Sequence, residues 1–127
     1  MSDILRALAE GDSFVCPVSA GSRSWMMSRE LCVENFLHAA RLPTDALGLQ
    51  RAFTLPALRV SMAELVESLA LRFGADRGGL ISYAPDAALE AQFGAYPPLA
   101  TAIADRLGFR HDGDVDALIA RALDQKL

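Results

Sequence analysis

The chain has 127 residues, of which 52% are hydrophobic and 22% charged, and a formal net charge of -4. That length suits one domain with one core, and the twelve cations are scattered singly, without the basic stripe that releases counterions from a nucleic acid. No apolar run approaches the roughly 20 residues that span a bilayer, so neither nucleic acid nor membrane is an expected partner.

In chain order, residues 2–10 (SDILRALAE) read as a short helix, with Ser2 or Asp3 as a cap, Ile4, Leu5 and Leu8 on one side, and Gly11 as the stop. SFVCPV (13–18) and RSWMM (23–27) are apolar runs separated by the turn-rich SAGS, which predicts two short strands, and Pro17 places the first at a sheet edge. Ser28 offers an N-cap to a helix in which Val33, Phe36, Leu37 and Ala40 recur at helical spacing until RLP closes it. RAFTLPAL (51–58) contains a run suited to a buried strand at Phe53–Leu55, limited by Pro56.

Beyond it, Ser61 and Glu64 form a capping-box pair ahead of the stripe Met62, Leu65, Val66, Leu69 and Phe73, with Gly74 suited to a left-handed C′ position. GLISYAP (79–85) reads as a strand, Asp86 as the cap of a short helix through Phe93, and residues 99–107 as a helix ending at Gly108. Asp114 caps a closing helix lined by Val115, Leu118, Ile119, Ala122 and Leu123. The list is α/β or α+β, without enough alternating strands for a self-sufficient parallel sheet.

Most chemistries find no footing in these residues. Gly78-Gly79 precedes a predicted strand, whereas a phosphate loop opens a helix. Cys16, Cys32, His38 and His111 show no CxxC, HxxxH or HExxH spacing, and Cys32 and His38 point to different helix faces. The cysteines read as buried structural residues in a reduced cytosol, His38 as a helix-surface residue and His111 as a polar loop residue. No GxSxG elbow is present, and Asp112, Asp114 and Asp116 read as charges favourable to a helix N-terminus.

Arg23 and Trp25 stand out, because alternate positions of a strand share a face and could present charge and apolar surface to a small anion. A salt bridge from Arg23 to Asp12 or Glu34 beside a packed tryptophan is the plainer alternative.

The segments DILRALAEGDSFVCPVSAGSRSWMMSRELCVENFLHAARLP, RAFTLPALRVSMAELVESL, YAPDAALEAQFGAYPP and ADRLGF, in that order, resemble the C-terminal half of extended short-chain dehydrogenases/reductases. This is the NAD-dependent epimerase/dehydratase family, and the resemblance is to its D-erythronate dehydrogenase-like branch. It implies an α/β fold, the substrate-domain part of an extended Rossmann-type enzyme. Such a part is mostly helical with a few short strands, lacks the dinucleotide-binding half, and occupies residues 1–127 as a single substrate-binding portion.

It further implies that Arg23 clamps the anionic group of a substrate, with Trp25 and Ser28 at the matching aromatic and serine positions. FTLP resembles a late strand of the dinucleotide-binding sheet. YPP stands where the branch would have tryptophan-proline-glycine, and LPAL lacks the usual glycine.

The family's glycine-rich NAD loop and Tyr-x-x-x-Lys pair are not in this sequence. Tyr83 and Tyr96 are followed four residues later by alanines, and the single lysine is Lys126. The expectation is therefore a cytoplasmic, self-associating chain that binds no cofactor alone, NAD being the cofactor of the parent family, and that acts on a small anionic substrate only within a complete enzyme. A non-catalytic interaction module derived from that family is the rival expectation.

Overall fold

The computed structural model describes residues 2–49 and 52–124. Arg51 and Lys126, which enter the sequence expectations, and the side chain of Ser2 lie outside the described residues. The chain forms two compact units. The first takes in the residues up to Ser24 together with Arg59–Pro97, and the second combines Trp25–Leu58 with the residues from Pro98 onward.

The first unit holds α1 (Ser2–Glu10), β1 (Phe14–Cys16), the first two residues of β2 (Arg23–Met26) and, after the other unit intervenes, β3 (Leu58–Ser61) from Arg59 onward, α3 (Met62–Phe73) and β4 (Ile81–Tyr83). α4 (Ala87–Phe93) closes it. Among the described residues β1 pairs only with β4, in parallel, with Phe14 opposite Ile81 and Cys16 opposite Tyr83, which suits a strand followed by Pro17. β2 and β3 form a second two-stranded sheet.

The apolar stripes of α1 and α3 meet, and Leu8, Leu65 and Leu69 are fully buried there. The end of α1 is capped from a distance: Arg77 donates to the carbonyls of Leu8 (2.6 Å) and Ala9 (2.8 Å), placing a cation where the helix dipole is negative.

α3 begins with the predicted capping box. Glu64 N donates to Ser61 Oγ at 3.2 Å, and the Glu64 carboxylate accepts from Ser61 N at 2.7 Å. Gly74 ends it at φ 131°, ψ 131°, which is not the expected left-handed helical geometry but a region open only to glycine. A Cβ there would also lie 2.8 Å from Asp76 Oδ1.

In the second unit α2 (Arg29–Arg41), α5 (Ala102–Arg106) and α6 (Val115–Asp124) surround Leu31, Ala104, Phe109, Leu118 and Ile119. Ser28 caps α2 by accepting from Leu31 N. Asp114 caps α6, accepting from Ala117 N at 2.8 Å. α5 is shorter than the expected 99–107, because the helix is delayed past Pro97-Pro98 until Thr101, whose carbonyl accepts from Asp105 N.

Two expectations fail here. Phe53–Leu55 is not a strand, since no neighbour among the described residues supplies a ladder, and the Phe53 ring packs on Phe109 at 5.1 Å. The strand falls instead at Leu58–Ser61, past Pro56. Secondly, α2 turns its predicted apolar stripe outward: Val33, Phe36 and Leu37 are 51%, 66% and 51% exposed, while Leu31 and Asn35 are buried. Asn35 fits because its amide is fully used, donating to the Arg110 carbonyl (2.8 Å) and accepting from Arg110 N (3.2 Å).

Candidate functional site

Arg23 opens β2 with its backbone held on both sides. Its N–H donates to Gly94 O at 2.8 Å, and its carbonyl accepts from Tyr96 N at 3.3 Å, a parallel bridge to the segment after α4. The preceding turn is tied down as well. Met62 N donates to the Ser22 carbonyl at 3.0 Å and Ala63 N to the Ala20 carbonyl at 2.9 Å, so the start of α3 supports the residues that deliver Arg23.

One carboxylate from α4 locks the same turn. Glu90 Oε1 accepts from Ser19 N at 2.8 Å and from Ser22 Oγ at 2.6 Å, and the two serine hydroxyls lie 3.2 Å apart. These hydrogen bonds, those of Ser19 foremost, hold the Glu90 pKa below the ordinary carboxylate value.

The Arg23 guanidinium donates to Glu64 Oε2 at 3.2 Å. Glu64 is therefore both the capping-box acid of α3 and the partner of Arg23, in place of the expected Asp12 or Glu34. The backbone N–H of Ser61 chiefly lowers its pKa, then the Ser61 hydroxyl, with the positive charge of Arg23 adding to them. Both side chains stay partly in solvent, 37% exposed for Arg23 and 49% for Glu64, so the ion pair itself stabilises little.

A second arginine, absent from the sequence expectations, belongs to this region: Arg59 of β3 donates from Nε to the Tyr96 carbonyl at 2.6 Å. Its place two residues before the capping serine, at the alternate strand position, was a readable signal.

Trp25 is 38% exposed on β2, and Ser28 is 2% exposed. Both belong to the second unit, whereas Arg23 belongs to the first. The Ser28 hydroxyl accepts from Leu31 N at 3.2 Å, and its own N–H donates to Asp112 Oδ2 at 2.9 Å. Asp112 is thus a buried acceptor at the start of α2, also bonded to Arg121 at 3.0 Å, and that bond raises the arginine's pKa.

Cys16 is buried, Cys32 half-buried, and both are free. His38 is half-buried, its Nε2 lying 2.7 Å from the Leu107 carbonyl and its ring edge-on to Phe109 at 4.9 Å. His111 is exposed and accepts from Gly113 N at Nδ1. Among the described residues no group of three or more His, Cys, Asp or Glu could hold a metal, and no helix is long and apolar enough to cross a membrane.

Gly78 and Gly79 lie in a 3-10 turn that leads into β4, not at a helix start.

No protein-family model matches the chain. A D-erythronate dehydrogenase from Haemophilus influenzae is 35% identical over 69 residues, 54% of this chain and 22% of its own length. A second, from Cupriavidus necator, is 29% identical over 119 residues, 93% of this chain and 37% of its own. The chain thus spans between about a fifth and two-fifths of the curated relatives it matches.

Among solved structures, a nucleoside-diphosphate-sugar epimerase from Agrobacterium tumefaciens superposes with TM-score 0.87 at 24% identity, over 98% of this chain and 37% of that one. A GalE-like L-threonine dehydrogenase from Cupriavidus necator does so with TM-score 0.79 at 16% identity, over 98% and 44%. These likenesses show the fold: the chain shares the mixed α/β arrangement of part of each of those enzymes. In sequence the chain is similar to part of relatives that carry the D-erythronate dehydrogenase name.

Proposed function

We propose that this chain is the substrate-binding part of an NAD-dependent oxidoreductase acting on a small hydroxy acid or sugar derivative, inactive alone and binding no cofactor by itself. One observation carries the reading: Arg23 stands at the mouth of β2 with its backbone clamped on both sides and its guanidinium aimed by Glu64. A guanidinium held in one direction binds a carboxylate by charge-assisted hydrogen bonds at lower entropic cost than a free one. Trp25 adds apolar surface on the same strand, and Ser28 contributes as the cap that starts α2. The relatives' names point to D-erythronate as the first substrate to try.

NAD, in that reading, is held by a dinucleotide-binding half and supplies the redox chemistry. Free Cys16 and Cys32 accord with a cytoplasmic setting. A second reading, a self-associating or partner-binding module derived from the family, draws on the exposed stripe of α2.

The test uses an enzyme reconstituted from this chain and the dinucleotide-binding part of a D-erythronate dehydrogenase. Arg23→Ala is expected to raise KM for D-erythronate at least about tenfold, the loss of one charge-assisted contact, with circular dichroism unchanged, and Arg23→Lys to recover part of it. An enzyme indifferent to Arg23→Ala would remove the clamp from the account.

A further inference from the structure

Arg23 is flanked on both edges of its strand. Its own N–H and carbonyl point to one edge, where they meet Gly94 and Tyr96. The Ser22 carbonyl points to the other and accepts from Met62 N at 3.0 Å, where β3 runs into α3. Successive residues of an extended chain direct their backbone groups to opposite edges, so β3 and residues 94–96 lie on either side of Arg23.

Arg59 joins these two flanks. From β3 its Nε donates to the Tyr96 carbonyl at 2.6 Å, a charge-assisted bond between residues 37 positions apart. Two strand spacings come to about 9.5 Å, a gap that one arginine side chain and one hydrogen bond together close. Alternate positions put Arg59 on the same face of β3 as Ser61. The Ser61 hydroxyl donates to Glu64 Oε2 at 2.7 Å, and that same oxygen accepts from the Arg23 guanidinium. The cross-link therefore lies on the face where Arg23 is bonded.

We propose that Arg59 is a positioning residue for the anion clamp: by tying β3 to the Tyr96 carbonyl, it holds in place the segment that holds the Arg23 backbone. The peptide units on either side of that carbonyl are the ones at stake. Tyr96 N donates to the Arg23 carbonyl at 3.3 Å, a long bond that opens readily once the Tyr96 carbonyl is released. Arg59 acts through Arg23 and needs no contact with substrate. The inference rests on the reading of Arg23 as the clamp, and its first test is independent of activity.

That test is residue-resolved hydrogen exchange on the full chain. Arg59→Met keeps the side-chain length and removes the donor. It is expected to speed exchange of the Arg23 and Tyr96 amides at least about fivefold, with the amides of Leu65 and Leu69 in α3 unchanged. Unchanged exchange at Arg23 and Tyr96 would overturn the proposal whether or not Arg23 binds substrate. Equal acceleration of all four amides would reduce Arg59 to a general contribution to stability, and overturn it as well.

The second test uses the enzyme reconstituted with the dinucleotide-binding part of a D-erythronate dehydrogenase. Arg59→Met is expected to raise KM for D-erythronate about three- to fivefold with kcat within about twofold. Arg59→Lys, whose ammonium can reach the same carbonyl, should recover part of the loss. On the Arg23→Ala background Arg59→Met should add nothing. An equal rise on both backgrounds would make Arg59 a direct substrate contact and overturn its positioning role. A KM raised by Arg23→Ala but untouched by Arg59→Met would leave the clamp standing and remove Arg59 from it. If neither substitution alters KM, the clamp reading itself falls and Arg59 positions nothing for substrate.

Discussion

α2 and α3 begin alike, each at a buried serine that caps its first turn, and each carries an apolar stripe at helical spacing. They end in opposite arrangements. α3 buries Met62, Leu65, Val66 and Leu69 against its own unit, whereas α2 buries Leu31 and the polar Asn35 and leaves Val33, Phe36 and Leu37 in solvent. A stripe therefore tells which side of a helix seeks a partner, but not whether that partner belongs to the same chain. For a chain that covers only part of its relatives' length, the second possibility carries weight.

The contrast can be broken most sharply by truncation. Leu65→Ala in α3, at a fully buried position, should cost about 3 kcal/mol of unfolding free energy. Phe36→Ala in α2, despite removing a larger side chain, should change the stability of the monomer by less than about 0.5 kcal/mol. Urea unfolding at low protein concentration reads both, and comparable losses would mean that the α2 stripe is buried in solution.

A smaller effect sharpens the inward side of α2. Asn35→Ala leaves the Arg110 N–H and carbonyl without their amide partner, and should cost about 2 kcal/mol. Asn35→Leu, which would improve the stripe as a sequence pattern, should be no better, because the same backbone groups stay unpaired.

The smallest expected effect concerns the acid that joins the α3 cap to Arg23. The Glu64 pKa lies below its ordinary 4.5, so its stabilising contribution is fully present above that pH and is lost as pH falls through the lowered value. The stability gap between wild type and Glu64→Gln should therefore narrow on acidification below 4.5, and a gap constant with pH would show that the charge of Glu64 contributes nothing.

Local chemistry explains what could be read in advance. Ser61, Glu64, Asp86 and Asp114 announce their helices through short-range capping, which the sequence displays directly. Strands were harder, because pairing is non-local: Phe53–Leu55 has strand composition but no ladder, and the strand forms beyond Pro56. Arg23 was legible as a candidate from its place beside Trp25, but Glu64 as its partner was not, being 41 positions away and already explained as a cap. The partners of Asp112 are hidden for the same reason, since only the fold brings it to Ser28 and Arg121.

The most direct measurement is NADH formation from D-erythronate by this chain alone, by a separately expressed dinucleotide-binding part of a D-erythronate dehydrogenase alone, and by the two mixed. The expected result is no turnover from either alone and NAD-dependent oxidation from the mixture. Turnover by the chain alone, or a mixture that stays inactive although the two parts demonstrably bind, would contradict its assignment as the substrate-binding part of such an enzyme.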